Sequence, residues 1–166
     1  MEGDIFLQTL MRSFYLGSGS NIFLRRSVID DIGFFDESFR RNQDLEYLVR
    51  VTKKYKMAHV DEVLLEIFYD IRTVRFTYEQ SVEREQMFRK NFAAYLEELT
   101  EKEKRSVLIM YDLDWLRFLM TKKKIWRAFK HVIRSHIPMY VYSNYFKYVR
   151  DRKRNSSCYG FVVTLK

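Results

Sequence analysis

GSGSNIFLRRSVIDDIGFFDESFRRNQDLEYLVR, residues 17–50, is the stretch on which the fold of this chain turns. Gly17-Ser18-Gly19-Ser20 breaks any helix that enters it, because glycine and short hydroxylic residues favour turns. Asn21 to Leu24 is short, apolar and bounded by turn chemistry, which predicts a strand. Ser27 followed by Asp30 has the form of a capping box opening a short helix, and Gly33 ends that helix. Phe34 to Phe39 reads as a loop. Asn42 is placed to cap a helix from Gln43 to about Tyr55, whose inner side carries Leu45, Leu48, Val49 and Thr52.

Working outward, residues 4–16 predict a helix with Ile5, Leu7, Leu10, Met11 and Phe14 on or near one side. Met57 to Val60 and Val63 to Tyr69 read as two short strands around Asp61-Glu62. From Thr77 onward the pattern is helical, with Phe88, Phe92, Tyr95, Leu96 and Leu99 at helix spacing. Thr100-Glu101-Lys102-Glu103 is a capping box opening a helix that is expected to bury Leu108, Tyr111, Trp115, Phe118 and Leu119. A further helix from about Lys122 to Ser135 is expected to turn Ile125, Phe129, Val132 and Ile133 inward. Pro138 marks a break, and residues 158–165 have the pattern of one strand. The expected fold class is therefore α/β and helix-rich. A small, incomplete sheet with flanking helices occupies 1–76, and an all-helical extension with a basic, aromatic tail occupies 77–166. The seam falls near residues 70–77.

Composition narrows the class. A chain of 166 residues with 47% hydrophobic and 17% aromatic content can bury a core, which excludes an intrinsically disordered protein. Its one cysteine, Cys158, permits no internal disulfide and suits a reducing compartment. The first ten residues lack the basic start and long apolar run of a secretory signal, and no apolar window is long enough to span a bilayer. These features imply a cytoplasmic chain. The net charge of +8 is unevenly placed. Residues 1–121 hold 18 Lys or Arg against 21 Asp or Glu, whereas residues 122–154 hold 11 against 1. Such a localised field attracts phosphates, of nucleic acid or of an anionic membrane surface, and the latter would make the chain peripheral on the inner face of a membrane.

The quoted stretch resembles the acceptor-side half of an inverting family 2 glycosyltransferase of the GT-A fold. The pieces come in the family's order: the small-residue segment running into a strand, the basic pair Arg25-Arg26 with its short helix, Gly33-Phe34-Phe35-Asp36-Glu37 like the signature G-x-F-D-E, and Asn42-Gln43-Asp44-Leu45-Glu46 where the family keeps its catalytic acid. Family members carry a nucleotide-binding half with a metal-binding Asp-x-Asp ahead of this segment, and only sixteen residues precede Gly17 here. The resemblance thus implies an acceptor-side portion, a truncated form or a chain completed by a missing N-terminal half. The implied reaction moves a sugar from a nucleotide-sugar to a hydroxyl of a glycan or lipid-linked acceptor, as in surface or capsular polysaccharide synthesis. The alternative is a non-catalytic basic module that binds an anionic membrane or nucleic acid.

On this resemblance Asp44 is the catalytic base, since sugar transfer with inversion requires a group that takes the proton of the attacking hydroxyl. Gln43 stands where the family often has Glu. Read without the signature, an Asp in the first turn of a helix merely complements the helix dipole. Ser18, Ser20 and Asn21 lie where they could hydrogen-bond the sugar. Asp36 and Glu37 belong to the loop that shapes the acceptor side, with Phe35 packed inward. Arg40, Arg41, Arg72 and Arg75 are candidates for the donor diphosphate, since guanidinium groups match phosphate oxygens in geometry and charge; solvated surface arginines are the competing reading. Glu46 and Arg50 read as an ordinary helix ion pair worth about 0.3 kcal/mol.

No metal site is expected in this chain. His59, His131 and His136 fit no ligand spacing, and Asp112-Leu113-Asp114, although it spells Asp-x-Asp, lies within a helical pattern. Mn or Mg is implied only for the complete family enzyme. Trp126, Phe129, Tyr140, Tyr142, Tyr145, Phe146 and Tyr148 interleave with the basic end, a pattern suited to a membrane interface, while no nucleic-acid motif accompanies the charge. An incomplete sheet would leave an open edge, so a homo-oligomer is expected.

Overall fold

The structure, a computed structural model, describes residues 2–13, 19–39, 42–66, 68, 77–155, 161 and 163. Eight α-helices lie among them: α1 (Phe6–Leu10), α2 (Arg26–Ile32), α3 (Gln43–Lys54), α4 (Tyr78–Asn91), α5 (Ala93–Glu97), α6 (Glu101–Thr121), α7 (Ile125–Ser135) and α8 (Met139–Asn155).

The expected α/β class is overturned. Among the described residues there is no strand, and the single trace of pairing is an isolated antiparallel bridge between Gly3 and Met57. The physical reason is visible at each expected strand. Gly19–Asn21 closes into a 3₁₀ turn, with the Ile22 amide donating to the Gly19 carbonyl at 3.1 Å. Ile22 to Leu24 then runs on without a ladder partner, leaving Phe23 fully exposed. Residues 58–66 are likewise unladdered, with Val63 and Leu64 in solvent. Apolar, β-prone residues form a strand only against a neighbour that supplies the ladder. The strand read over residues 158–165 falls largely outside the described residues; of it, Phe161 and Val163 are buried, Phe161 against the rings of Tyr145 and Tyr148.

Helix α6 organises the rest. Its run Val107-Leu-Ile-Met-Tyr111 is apolar in consecutive positions, the mark of a helix surrounded on most sides. Val107, Ile109, Met110, Tyr111, Leu113, Leu116 and Leu119 are buried. Leu108, expected inside, is exposed, and Trp115 and Phe118 are half-buried against Tyr78. Helix α1 packs on α3 and α6, α2 on α3, and α7 on α6. Phe88, Phe92 and Leu96 from α4 and its junction with α5, and Val141, Tyr142 and Tyr145 from α8, complete the core. Both long amphipathic stretches open with full capping boxes, Thr77 with Gln80 and Thr100 with Glu103. The second was legible in the sequence.

A buried charge ties the beginning of the chain into this bundle. The helix expected over residues 4–16 stops at Leu10, and Arg12 turns left-handed at φ +56°. That turn sets its guanidinium against the rings of Phe88 and Tyr111, 4.8 and 5.0 Å from their centres, and onto both oxygens of Glu85 at 2.7 and 3.1 Å. Glu85 also accepts from Arg89 at 2.9 Å. Burial alone would raise the Glu85 carboxyl, but the two arginines outweigh it and hold the group below the ordinary glutamate range. Next to this pair the Tyr148 hydroxyl donates to the Ser13 carbonyl at 3.2 Å, joining α8 to the residue after Arg12.

Candidate functional site

The site is built on α2, α3 and the turns beside them. Helix α2 does not open as expected from Ser27. Its N-cap residue is Arg25, in extended backbone without a side-chain cap, and Asp30 pairs instead with Arg26 at 2.8 Å. It does end at Gly33, whose φ of +83° favours a residue without a Cβ. Helix α3 begins after Asn42, which adopts a left-handed conformation (φ +64°) and contributes no side-chain cap. Tyr47, Leu48, Val49, Val51 and Thr52 form its buried side, with the Thr52 and Thr9 hydroxyls bonded at 2.6 Å.

Arg50 locks the two helices together. Its guanidinium grips Glu46 at 2.7 and 3.0 Å and donates to the Ile32 and Phe34 carbonyls at 2.9 and 2.8 Å. The pair is thus more than the surface helix pair expected from its spacing: Glu46 is buried, and Arg50 satisfies carbonyls at the end of α2 and just beyond it. The hydrogen bond that Arg50 donates to Glu46 is the largest influence on its pKa and raises it further. Phe35, expected to pack inward, is half in solvent with its ring 4.8 Å from that of Tyr47. Phe39 is the loop aromatic that enters the core. The sequence marks both as apolar loop residues and does not distinguish them.

Asp44 stands in the first turn of α3, partly exposed, with Oδ1 accepting from the Leu45 amide at 2.9 Å. The 3₁₀ turn lies directly against it. A Cβ built on Gly19 would sit 3.1 Å from the Asp44 Cβ and 3.2 Å from Oδ2, so any larger residue at this position in the turn would press on the carboxylate and require it to give. Gly19 is the site residue that reading the sequence missed, and the repeated glycine of Gly17-Ser18-Gly19 was its signal. Ser20 and Asn21 are on the same turn, exposed. Asp36 is engaged elsewhere: its Oδ1 accepts from the Ser38 hydroxyl and amide at 2.6 and 2.9 Å, and Oδ2 from Asn91 at 3.4 Å. The Ser38 hydroxyl is the main cause of its lowered pKa. Glu37 is exposed in the adjoining turn. Ser18, Arg40, Arg41, Arg72 and Arg75 lie outside the described residues.

The divalent metal implied by the family resemblance finds no fitting donor set among the described residues, where no three His, Cys, Asp or Glu side chains converge. The Asp-x-Asp of α6 is engaged internally. Asp112 faces Arg89 and His131, and Asp114 accepts from the Tyr145 hydroxyl at 2.6 Å and from Arg117 at 3.2 Å. No described helix is long and apolar enough to cross a membrane. Compared with known proteins, the chain matches no family model, no curated protein and no solved structure.

Proposed function

We propose that residues 19–54 form the acceptor-side lobe of an inverting sugar-transfer site, with Asp44 as the base. The observation that carries this reading is the close approach of the Gly19 turn to the Asp44 carboxylate, which brings together the small-residue segment and the acidic motif at a partly exposed surface. Arg50 supports the arrangement from behind by fixing the end of α2 against α3. In the proposed step an acceptor hydroxyl gives its proton to Asp44 as its oxygen bonds to the anomeric carbon. The bond from that carbon to the nucleotide diphosphate breaks, and the diphosphate leaves with the electron pair. The nucleotide-sugar is held by groups other than those described, and no step is assigned to a metal.

The test is a saturation-transfer NMR titration of the whole chain with a panel of oligosaccharides, on wild type and on Gly19→Val. Glycan signals that Gly19→Val abolishes support the lobe; no signal from any glycan, or equal signals from the variant, overturn it. With a donor-binding half supplied as a second polypeptide, Asp44→Asn should lose transfer from a nucleotide-sugar while keeping the glycan signals. Turnover near that of wild type in this variant removes Asp44 from the role.

A further inference from the structure

The charge pattern of residues 122–154 treats that whole stretch as one basic, aromatic surface. The structure divides it. In α8, Val141, Tyr142 and Tyr145 are buried and Tyr140, Phe146 and Tyr148 pack against the core. In α7 Val132 packs on the core as expected and Ala128 is buried beside it, but three residues expected inside are not: Ile125, Phe129 and Ile133 are 66%, 56% and 59% exposed, with Trp126 at 67%. At 3.6 residues per turn these four side chains cover about 100° of the helix surface. Lys130, Arg134 and Arg127 follow on the adjoining arc, all exposed.

This orientation is held from the opposite side. The His131 Nε2–H donates to the Asp112 carbonyl of α6 at 3.0 Å, and the Ser135 and Tyr142 hydroxyls bond at 2.7 Å. The Trp126 and Phe129 rings stack with centroids 5.8 Å apart, and the Lys130 ammonium lies 5.5 Å from the centre of the Trp126 ring. Arg127 and Lys124 lean on Tyr78 at 4.8 and 5.7 Å. Residues 122–135 contain six Lys or Arg and no Asp or Glu.

From this we infer that α7 docks on an anionic lipid bilayer, lying in the plane of the interface. Its apolar arc enters the headgroup–acyl boundary and its cationic arc meets the lipid phosphates. Charge complementarity selects this occupant. A second copy would bring the same cations against these, at a repulsive cost. A nucleic acid would meet the cations but leave four large apolar side chains against phosphate or water. An anionic bilayer offers phosphate and hydrocarbon side by side.

The experiment sediments the whole chain with vesicles of phosphatidylcholine alone and of phosphatidylcholine with phosphatidylglycerol. A Trp115→Phe background makes the emission report Trp126. We expect partitioning onto the anionic vesicles, a blue shift of Trp126, and release by added salt. Lys130→Gln with Arg134→Gln should weaken the partition about thirty-fold, and Phe129→Ser with Ile133→Ser at least about tenfold. Quenching of Trp126 by brominated lipid in the otherwise unaltered background reads insertion depth without those substitutions. Binding to neither vesicle type overturns the inference. So does binding that survives Phe129→Ser with Ile133→Ser, equal affinity for an RNA duplex, or a lipid-free dimer that buries Trp126.

Discussion

Arg12 carries a buried charge that joins the start of the chain to α4 and α6. Glu85→Gln would leave its guanidinium buried against two rings without its paired carboxylate, and removal of one partner from a buried pair costs about 3–5 kcal/mol. Urea unfolding of that variant against wild type measures the loss; a change of a few tenths would mean that the pair is solvated. The same pair sets an acid limit. The folded-state carboxyl of Glu85 is depressed, so its contribution is complete above the unfolded glutamate value and is lost as pH falls through the lower folded value. Stability measured across the acid range should therefore fall with pH in wild type, and less steeply in Glu85→Gln. None of this was legible beforehand, because Arg12 and Glu85 are 73 residues apart and each alone reads as a surface charge. Asp44 was legible, from its place in a local motif. What the motif could not convey is its neighbour Gly19, since a contact between a turn and a helix start across 25 positions leaves no periodicity. Gly19→Ala should be mild in stability yet displace Asp44, because the added methyl meets it at 3.1 Å. A chemical-shift change at the Asp44 carboxyl is the readout.

Among the elements, local signals held at Thr100 but not at Ser27 or Asn42, and the elements that need a partner strand did not form among the described residues. The Thr100 capping box was found where its sequence placed it, with both hydrogen bonds formed. Thr100→Ala should cost about 1 kcal/mol, and so should Thr77→Ala, whose box follows the same spacing. Thermal melts of the two variants check the pair. The strands failed because a strand is a relation between segments, and residues 21–24 and 58–66 have no partner in register among the described residues. Helices α6 and α7 were read in part: Tyr111, Leu119 and Val132 do face the core, but Leu108 in α6 and Ile125, Phe129 and Ile133 in α7 do not. In α6 five apolar residues in a row carry no phase. In α7 the apolar arc is clear, yet an amphipathic pattern says only which residues share a face, not what that face meets. Leu113→Ala, fully buried, should cost about 2–5 kcal/mol, whereas Leu108→Ala should stay within about 0.5 kcal/mol. Similar losses in both would contradict the observed orientation of α6.

On the scale of the molecule, large exposed apolar side chains of the described residues group on α7 and in the segment that carries Val63, Leu64, Leu65 and Phe68, with Phe23 and Phe34 exposed as well. The second carries no comparable run of cations, and contiguous exposed apolar side chains of this kind favour association with another polypeptide. We expect the chain to self-associate through it in solution. Light scattering should give a mass that falls towards the monomer in Val63→Lys with Leu64→Lys and is unmoved by substitutions in α7; a monomer at high concentration in wild type would refute the expectation. The bond from Tyr148 to the Ser13 carbonyl has a consequence of another kind. It spans 135 positions, so during synthesis Ser13 has left the ribosome long before its partner exists. Until α8 emerges, the backbone carbonyl there must be served by water. Tyr148 thus closes on Ser13 only after α8 is made, and a ribosome stalled ahead of Tyr148 holds that carbonyl still open to water and to a protease.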